Sequence, residues 1–246
     1  MIKDKEIKAF NVDGIELKFQ DVIGSDTLKW VVKEALREDE YGIKKIDFGR
    51  NDVVLDIGAN IGCVSIYLAK KYPKIKIYAF EAHPVNFQSL LYNIKLNSVY
   101  NIIPVNKAVY SETGKILTIS LDTTNTGASS CFIQRDTKEF SVETISLDDI
   151  IKGYDITELK LLKIDCEGAE FDIIEGSNLI QDLEINTLGM ELTVSCFRFH
   201  TNLFNPFDLL SVVFLLFAFE LKLLTIFPVA FLISNFRSTE SAIVGN

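Results

Sequence analysis

The sequence predicts an α/β fold built on a doubly wound, mostly parallel sheet, and three observations carry that expectation. Short apolar runs at 53–57, 75–80, 102–105 and 161–165 have the composition of strands buried on both faces. Segments of helical period separate the first three of these runs. A glycine-bearing turn joins the first run to the first helical segment. Alternation of this kind implies parallel strands linked by right-handed crossovers.

Composition sets the frame. At 246 residues the chain has the length of one α/β domain and can bury a core without disulfide or metal staples. It is 48% hydrophobic and 24% charged, which excludes disordered and collagen-like classes. Twenty-five Lys plus Arg against 34 Asp plus Glu give a net charge of −9. Affinity for nucleic acid comes mostly from basic side chains on phosphates, so no nucleic-acid partner is expected. The short basic pairs Lys44-Lys45 and Lys70-Lys71 have the look of solvated helix or loop ends.

Residues 6–12 and 15–21 alternate apolar and polar around Asp13-Gly14, the signature of a hairpin with a tight turn. Ser25 or Asp26 can cap a helix whose apolar positions are Leu28, Val31, Val32, Ala35 and Leu36. Residues 1–50 are thus an amino-terminal hairpin-helix extension, followed by a core over 51–246, all within a single domain. In that core, Val53-Val54-Leu55-Asp56-Ile57 is the first strand and 64–71 the helix after it. Residues 75–80 form the second strand, and Pro84 opens a helix that presents Phe87, Leu90, Leu91 and Ile94 on one face. Residues 102–105 are the third strand. Residues 115–121 and 140–145 read as further strands, separated by a polar loop at 122–130. The run 161–165 is another buried strand, with a helix after it, and 187–192 a strand beyond that.

Toward the carboxyl end, residues 203–236 are strongly apolar. Glu220, Lys222 and Pro228 divide them into pieces shorter than the roughly 20 residues a membrane span needs. A helix starting at Asn205-Pro206 and an antiparallel hairpin over 221–236 closing the sheet are expected, in preference to a membrane-associated tail. Cys63, Cys131, Cys166 and Cys196 are scattered without a Cys-x-x-Cys pair, so no metal site is expected and four reduced thiols fit a cytoplasmic protein. The charged amino terminus lacks the apolar core of a secretory signal.

The residues with chemical character gather at strand ends. In Asp56-Ile57-Gly58-Ala59-Asn60-Ile61-Gly62, glycines let the backbone approach a ligand, and the following helix offers free N–H groups. A dinucleotide turn would read Gly-x-Gly-x-x-Gly; Asn60 and Cys63 stand at its second and third glycines, which weakens the alternative of a nicotinamide-dependent oxidoreductase. Asp56 suits a cationic or amine-bearing ligand better than a phosphate. Glu81 ends the second strand, where an acid can accept both hydroxyls of a ribose. Together they outline a nucleoside site without phosphate recognition, which S-adenosylmethionine fits. Asp165 ends a later buried strand, Glu167 and Glu170 follow it, and Glu191 ends the next strand. Such acids can bind or deprotonate a hydroxyl. Glu170 also suits a helix amino terminus. A second alternative is a non-catalytic nucleoside-binding or membrane-associated protein.

These stretches, with Tyr78-Ala79-Phe80-Glu81, Ser146-Leu147-Asp148-Asp149-Ile150 and Lys163-Ile164-Asp165-Cys166-Glu167-Gly168-Ala169-Glu170, resemble the FkbM family of S-adenosylmethionine-dependent methyltransferases over about residues 50–192. The glycine turn is common to many methyltransferases; the Asp-x-Glu-Gly-Ala-Glu segment is the specific part. The resemblance implies a Rossmann-like class I methyltransferase fold and O-methylation of a sugar, glycolipid or other hydroxylated metabolite. It places the cofactor on Asp56, Gly58, Asn60, Gly62 and Glu81, with Asn106 and Ala108 on the adenine side. Strand-end position makes Asp165, Glu167 and Glu191 the candidate catalytic acids, with Asp165 or Glu167 orienting or deprotonating the acceptor hydroxyl. The family often has a histidine two residues after the last acid; Thr193 stands there, and the nearest histidine is His200.

Overall fold

A computed structural model of the chain describes residues 5–22, 27–121, 129–130, 139–166, 168–180, 184–186 and 188–190. The expected carboxy-terminal helix and hairpin, the cap at Ser25 or Asp26, and Glu167, Glu191 and His200 lie outside the described residues.

The amino-terminal hairpin forms as expected. Strands β1 (Lys5–Val12) and β2 (Ile15–Val22) pair antiparallel. Asp13 and Gly14 both take positive φ, 51° and 82°, as a tight two-residue hairpin turn requires. Helix α1 (Thr27–Val31) runs on into a π-helical turn over Val32–Arg37. Its buried residues Leu28, Val32, Ala35 and Leu36 belong to the face read from the spacing.

The central sheet comprises β3 (Val53–Ile57), β4 (Lys76–Phe80), β5 (Ile102–Val105), β11 (Leu161–Ile164) and β13 (Leu188–Met190), in the order β13-β11-β3-β4-β5 with all pairs parallel. Helix α2 (Cys63–Lys71) links β3 to β4, and α3 (Pro84–Leu96) links β4 to β5. The winding reverses between β3 and β11. In open α/β sheets the crevice beyond the strand ends at such a reversal is where ligands bind.

Alternation along the strands divides the core in two. Val54, Ile77, Ala79 and Leu161 face the hairpin, α1 and α2, where Phe19, Leu36 and Ile66 are buried. Leu55, Ile57, Tyr78, Phe80, Leu162 and Ile164 face the other way, onto α4 (Leu147–Gly153) and α5 (Glu170–Glu175).

The middle of the chain builds a separate sheet, which the sequence did not place. Strands β6 (Ala108–Tyr110), β7 (Ile116–Leu121), β8 (Ser129–Ser130) and β9 (Glu139–Ser146) lie in the order β6-β9-β7-β8. Ser129 and Ser130, read as the end of a loop, pair with β7 instead, because their backbones complete its free edge. Two short strands, β10 (Glu158–Leu159) and β12 (Glu184–Ile185), pair with each other.

Helix α3 departs from its apolar reading. Leu90 is fully buried and Phe87 and Ile94 pack against the same core, as read, but the deepest stripe also contains Asn86, Asn93 and Asn97. The reason is the free edge of β2. Asn93 Oδ1 accepts from Gln20 N–H at 2.8 Å, and Asn97 accepts from Lys18 N–H and donates to Lys18 O. Buried backbone groups need partners, and side-chain amides supply them where no further strand is paired.

The glycine turn is tight for a reason internal to the fold. Gly58 has φ +77°, and a Cβ there would lie 1.7 Å from the carbonyl oxygen of Asp165. Gly14 has a similar φ of +82° but open space around it. Gly14→Ala is therefore expected to cost about 1 kcal/mol, the strain of the left-handed backbone alone. Gly58→Ala should cost about 4 kcal/mol or prevent folding, since β3 and β11 must part. Urea denaturation of the two variants measures the difference.

Candidate active site

Three acids end three neighbouring strands, and the fold treats each differently. Asp56, within β3, is 1% exposed and stands directly opposite Lys163 in the register of β11. Ser65 Oγ–H of α2 donates to its Oδ2 at 2.6 Å, and Lys163 Nζ lies 2.9 Å from its Oδ1. The cation that faces the Asp56 carboxylate, which the sequence matched to a cationic or amine-bearing ligand, is Lys163. That ammonium also donates to the carbonyl oxygens of Gly58, at 3.0 Å, and Ile57. Burial works against the Lys163 charge, but Asp56 and Asp165 outweigh it and hold the group above its ordinary value.

Glu81 follows β4 and is 6% exposed. Its Oε2 accepts from Asn60 N–H at 2.7 Å and its Oε1 from His83 N–H at 2.9 Å. Asn60 can offer its N–H there because it takes φ +52°, a conformation Asn tolerates. The N–H groups of Gly58 and Ala59 donate to Phe80 O, which ties the glycine turn to the end of β4. Gly62, at φ +95°, begins α2 against Leu90 and Ile66. Asn106 Nδ2 donates to the carbonyls of Glu81 and Ala82, so it braces the loop carrying the acid. Ala108 lies within β6, and its methyl packs in an apolar cluster with Ile119 and Val142.

Asp165 follows β11 with its side chain 21% exposed. Its N–H donates to Ile57 O, and its Oδ2 accepts from the Tyr41 hydroxyl at 2.7 Å and lies 3.7 Å from Lys163 Nζ. Glu170 is fully buried and folds back on the turn before it, accepting from Cys166 N–H and Gly168 N–H. Its role in the Asp-x-Glu-Gly-Ala-Glu segment is to hold that turn at the end of β11. Asp148 does similar work elsewhere, accepting from Ser177 Oγ–H and from the N–H groups of Asn178 and Leu179. No cluster of three or more metal-ligating side chains occurs among the described residues, and no helix among them is long and apolar enough to cross a membrane.

Sequence reasoning missed Lys163, Ser65 and Tyr41. Lys163 had a signal: a lysine inside an apolar run, one strand away from an aspartate inside another. A buried charge of that kind needs a partner. Tyr41 had none, since 124 residues separate it from Asp165.

A parallel sheet with a glycine turn after its first strand, a buried acid after its second and a further acid across the reversal defines a nucleoside-using α/β enzyme. The sequence comparison is more specific. Residues 56–209 match the Methyltransferase FkbM domain, and the chain belongs to that family. It is similar to Methyltransferase 1 of Beauveria bassiana, 28% identical over 61% of this chain and 67% of that one. It is also similar to the hexuronic acid methyltransferase AglP of Haloferax volcanii, 24% identical over 71% of this chain and 66% of that one. A third similarity is to the 31-O-demethyl-FK506 methyltransferase FkbM of Streptomyces tacrolimicus, 24% identical over 63% and 70%. The chain spans about two thirds of the length of these relatives.

The family's cofactor is S-adenosylmethionine, and the residues at the crevice fit it. Glu81 is a carboxyl held beside the glycine turn by two backbone N–H groups, an arrangement that suits ribose hydroxyls and repels phosphate.

Two predictions follow from the charges here. The first concerns Lys163. Lys163→Met leaves Asp56 buried beside Ser65 alone, and should cost about 3–5 kcal/mol. Asp56→Asn combined with Lys163→Met should recover much of that loss in urea denaturation.

The second concerns pH. Burial pushes the Glu81 carboxyl up to about 7 despite its backbone hydrogen bonds. The folded state therefore binds this proton more tightly than the unfolded chain. Its contribution to stability is full below 4.5 and is lost as pH rises through about 7. Burial pushes His83 down to about 4, so its contribution is full above 6.5 and is lost as pH falls through about 4. The two slopes oppose each other between pH 4.5 and 6.5. Relative to the wild type, Glu81→Gln should make stability rise more steeply with pH across that window, and His83→Gln should make it fall. Melting temperatures taken across the window check both signs.

Proposed function

We propose that this protein transfers the methyl group of S-adenosylmethionine to a hydroxyl oxygen of a sugar, uronic acid, glycolipid or other hydroxylated metabolite. The observation that carries this reading is the partly exposed carboxylate of Asp165 at the crevice end of β11, beside the glycine turn. The named activities of two relatives, on a hexuronic acid and on a demethylated oxygen, support an oxygen acceptor.

Bound S-adenosylmethionine supplies an electrophilic methyl group on sulfur. The chain's own contribution is positional, and holding reactants in line can account for most of the acceleration. Glu81 and Asn60 hold the nucleoside end, and Asn106 keeps the Glu81 loop in place. Lys163 and Asp56 fix the ends of β11 and β3 from below. Asp165 faces the methyl end and orients, or takes the proton from, the acceptor hydroxyl. Glu167 and Glu191 are the further candidates for that part. A nicotinamide oxidoreductase is set aside by the family to which the chain belongs.

Two measurements test the proposal. S-adenosylhomocysteine at 100 times its Kd should stabilise the fold by about 2.7 kcal/mol, while NAD should leave the melting temperature unchanged. Mass spectrometry of reactions with S-adenosylmethionine and a panel of methyl glycosides, methyl glucuronosides, glycolipids and hydroxylated macrolides should show a gain of one methyl group on oxygen. A thermal shift from NAD alone, or methylation confined to nitrogen or carbon, would overturn it.

A further inference from the structure

The family match begins at residue 56, yet one of the closest contacts to Asp165 comes from before it. Tyr41 is 5% exposed, donates its hydroxyl to Asp165 Oδ2 at 2.7 Å and lies with its ring 5.4 Å from Lys163 Nζ.

The backbone around Tyr41 is shaped to deliver it. After α1 the chain passes through the π-helical turn Val32–Arg37, a rare geometry that often accompanies functional sites. Asp39 and Gly42 then take left-handed conformations, φ 60° and 65°. Gly42 N–H donates to Asp39 O, and Lys44 N–H donates to Asp39 Oδ1, which closes the turn around Tyr41. Leu36 and Ile43 anchor its two sides in the core. The hairpin tip is fixed separately, through the Tyr67 hydroxyl donating to Asp13 Oδ2.

We propose that Tyr41 is a positioning residue of the methyl-transfer site. It fixes the Asp165 carboxylate toward the methyl end of the bound donor, so the segment preceding the family domain completes the site. Tyr41 donates to Oδ2, Lys163 lies 3.7 Å from the same oxygen, and Oδ1 has no hydrogen bond within the described residues, while the side chain stays 21% exposed. Around this carboxylate stand Lys163 on β11, Asp56 on β3, Cys166 beside it in the chain and Tyr41 from the preceding segment. Of these, Tyr41 is the uncharged side chain that donates a hydrogen bond to Asp165, so it can be altered without changing the charge. The proposal rests on the reading that Asp165 faces the methyl end.

The test needs no acceptor. Sinefungin carries an amine where S-adenosylmethionine carries its methyl sulfonium, whereas S-adenosylhomocysteine is neutral at that point. Calorimetry on the full chain with both probes separates contacts at the methyl end from contacts to the nucleoside. Tyr41→Phe keeps the ring and loses the hydroxyl. It is expected to weaken sinefungin roughly 10-fold, the low end for a hydrogen bond to a charged group, and to leave the affinity for S-adenosylhomocysteine unchanged. Asp165→Asn should show the same selective loss, and Tyr41→Phe should add nothing in that background. Tyr41→His, which retains a donor, should recover part of the loss.

Wild-type affinity for both probes in Tyr41→Phe, beside a selective loss in Asp165→Asn, would overturn the role of Tyr41. Equal weakening of both probes would also overturn it, by making Tyr41 a brace of the fold. An Asp165→Asn variant without selective loss would instead overturn the reading of Asp165 itself.

Discussion

The buried pair of Asp56 and Lys163 is the constraint on which the crevice depends. The two residues are direct neighbours in the register of β3 and β11, where the winding of the sheet reverses. Both are almost completely enclosed, at 1% and 3% exposure. Removing such charges from water costs several kcal/mol each, which the pair offsets only with good geometry and further hydrogen bonds. Those bonds are present. Ser65 donates to Asp56 Oδ2, Lys163 faces Oδ1 as its ion-pair partner, and the carbonyls of Ile57 and Gly58 accept from the ammonium. Lys163 thereby holds two strands and the start of the glycine turn at once. A hydrophobic pair of equal volume could fill the space, but it would leave those carbonyls without this donor.

The same economy of contacts explains how three acids can stand at adjacent strand ends. Asp56 is neutralised from inside the protein. Glu81 is engaged by backbone N–H groups that favour its charge while burial opposes it. Asp165 shares Lys163 with Asp56 and takes a further hydrogen bond from Tyr41. Each acid differs in how it is held: Asp56 by Lys163 and Ser65, Glu81 by two backbone N–H groups, and Asp165 by Tyr41 with Lys163 farther off. Gly58 belongs to this arrangement, because the carbonyl of Asp165 occupies the place where a side chain would be. Its absence of a Cβ brings β11 against the turn, so the glycine serves strand packing as well as any approach of ligand backbone-close.

The segment before β3 is tied to the sheet by polar contacts as much as by apolar ones. Asn93 and Asn97 meet the edge of β2, Tyr67 meets the hairpin tip, and Tyr41 reaches the strand ends. Directional bonds of this kind fix orientation where apolar packing alone would permit sliding, since the hydrophobic effect is non-directional. The hairpin is thereby held in one place relative to the crevice.

Much of the fold was legible because its determinants are local. Alternation around Asp13-Gly14 specified a hairpin, Pro84 specified the start of α3, and the runs at 53–57 and 161–164 specified buried strands. The glycine turn and the acid at position 81 were legible for the same reason: backbone geometry and strand-end placement follow from neighbours in the chain. Two strands of the second sheet, read at 115–121 and 140–145, were legible too, but its assembly was not, since β8 is two residues long and exists only by pairing with β7. The amide stripe on α3 was hidden because periodicity counts apolar residues, while the edge of β2 asked for hydrogen-bond partners. The sequence by itself thus determined the strands, the turn and the set of acids. Which acid is neutralised, which is held by backbone and which is left facing the crevice depends on Lys163 and Tyr41. They come from distant parts of the chain, 124 residues from its partner in the case of Tyr41, and only tertiary packing brings groups so distant into contact.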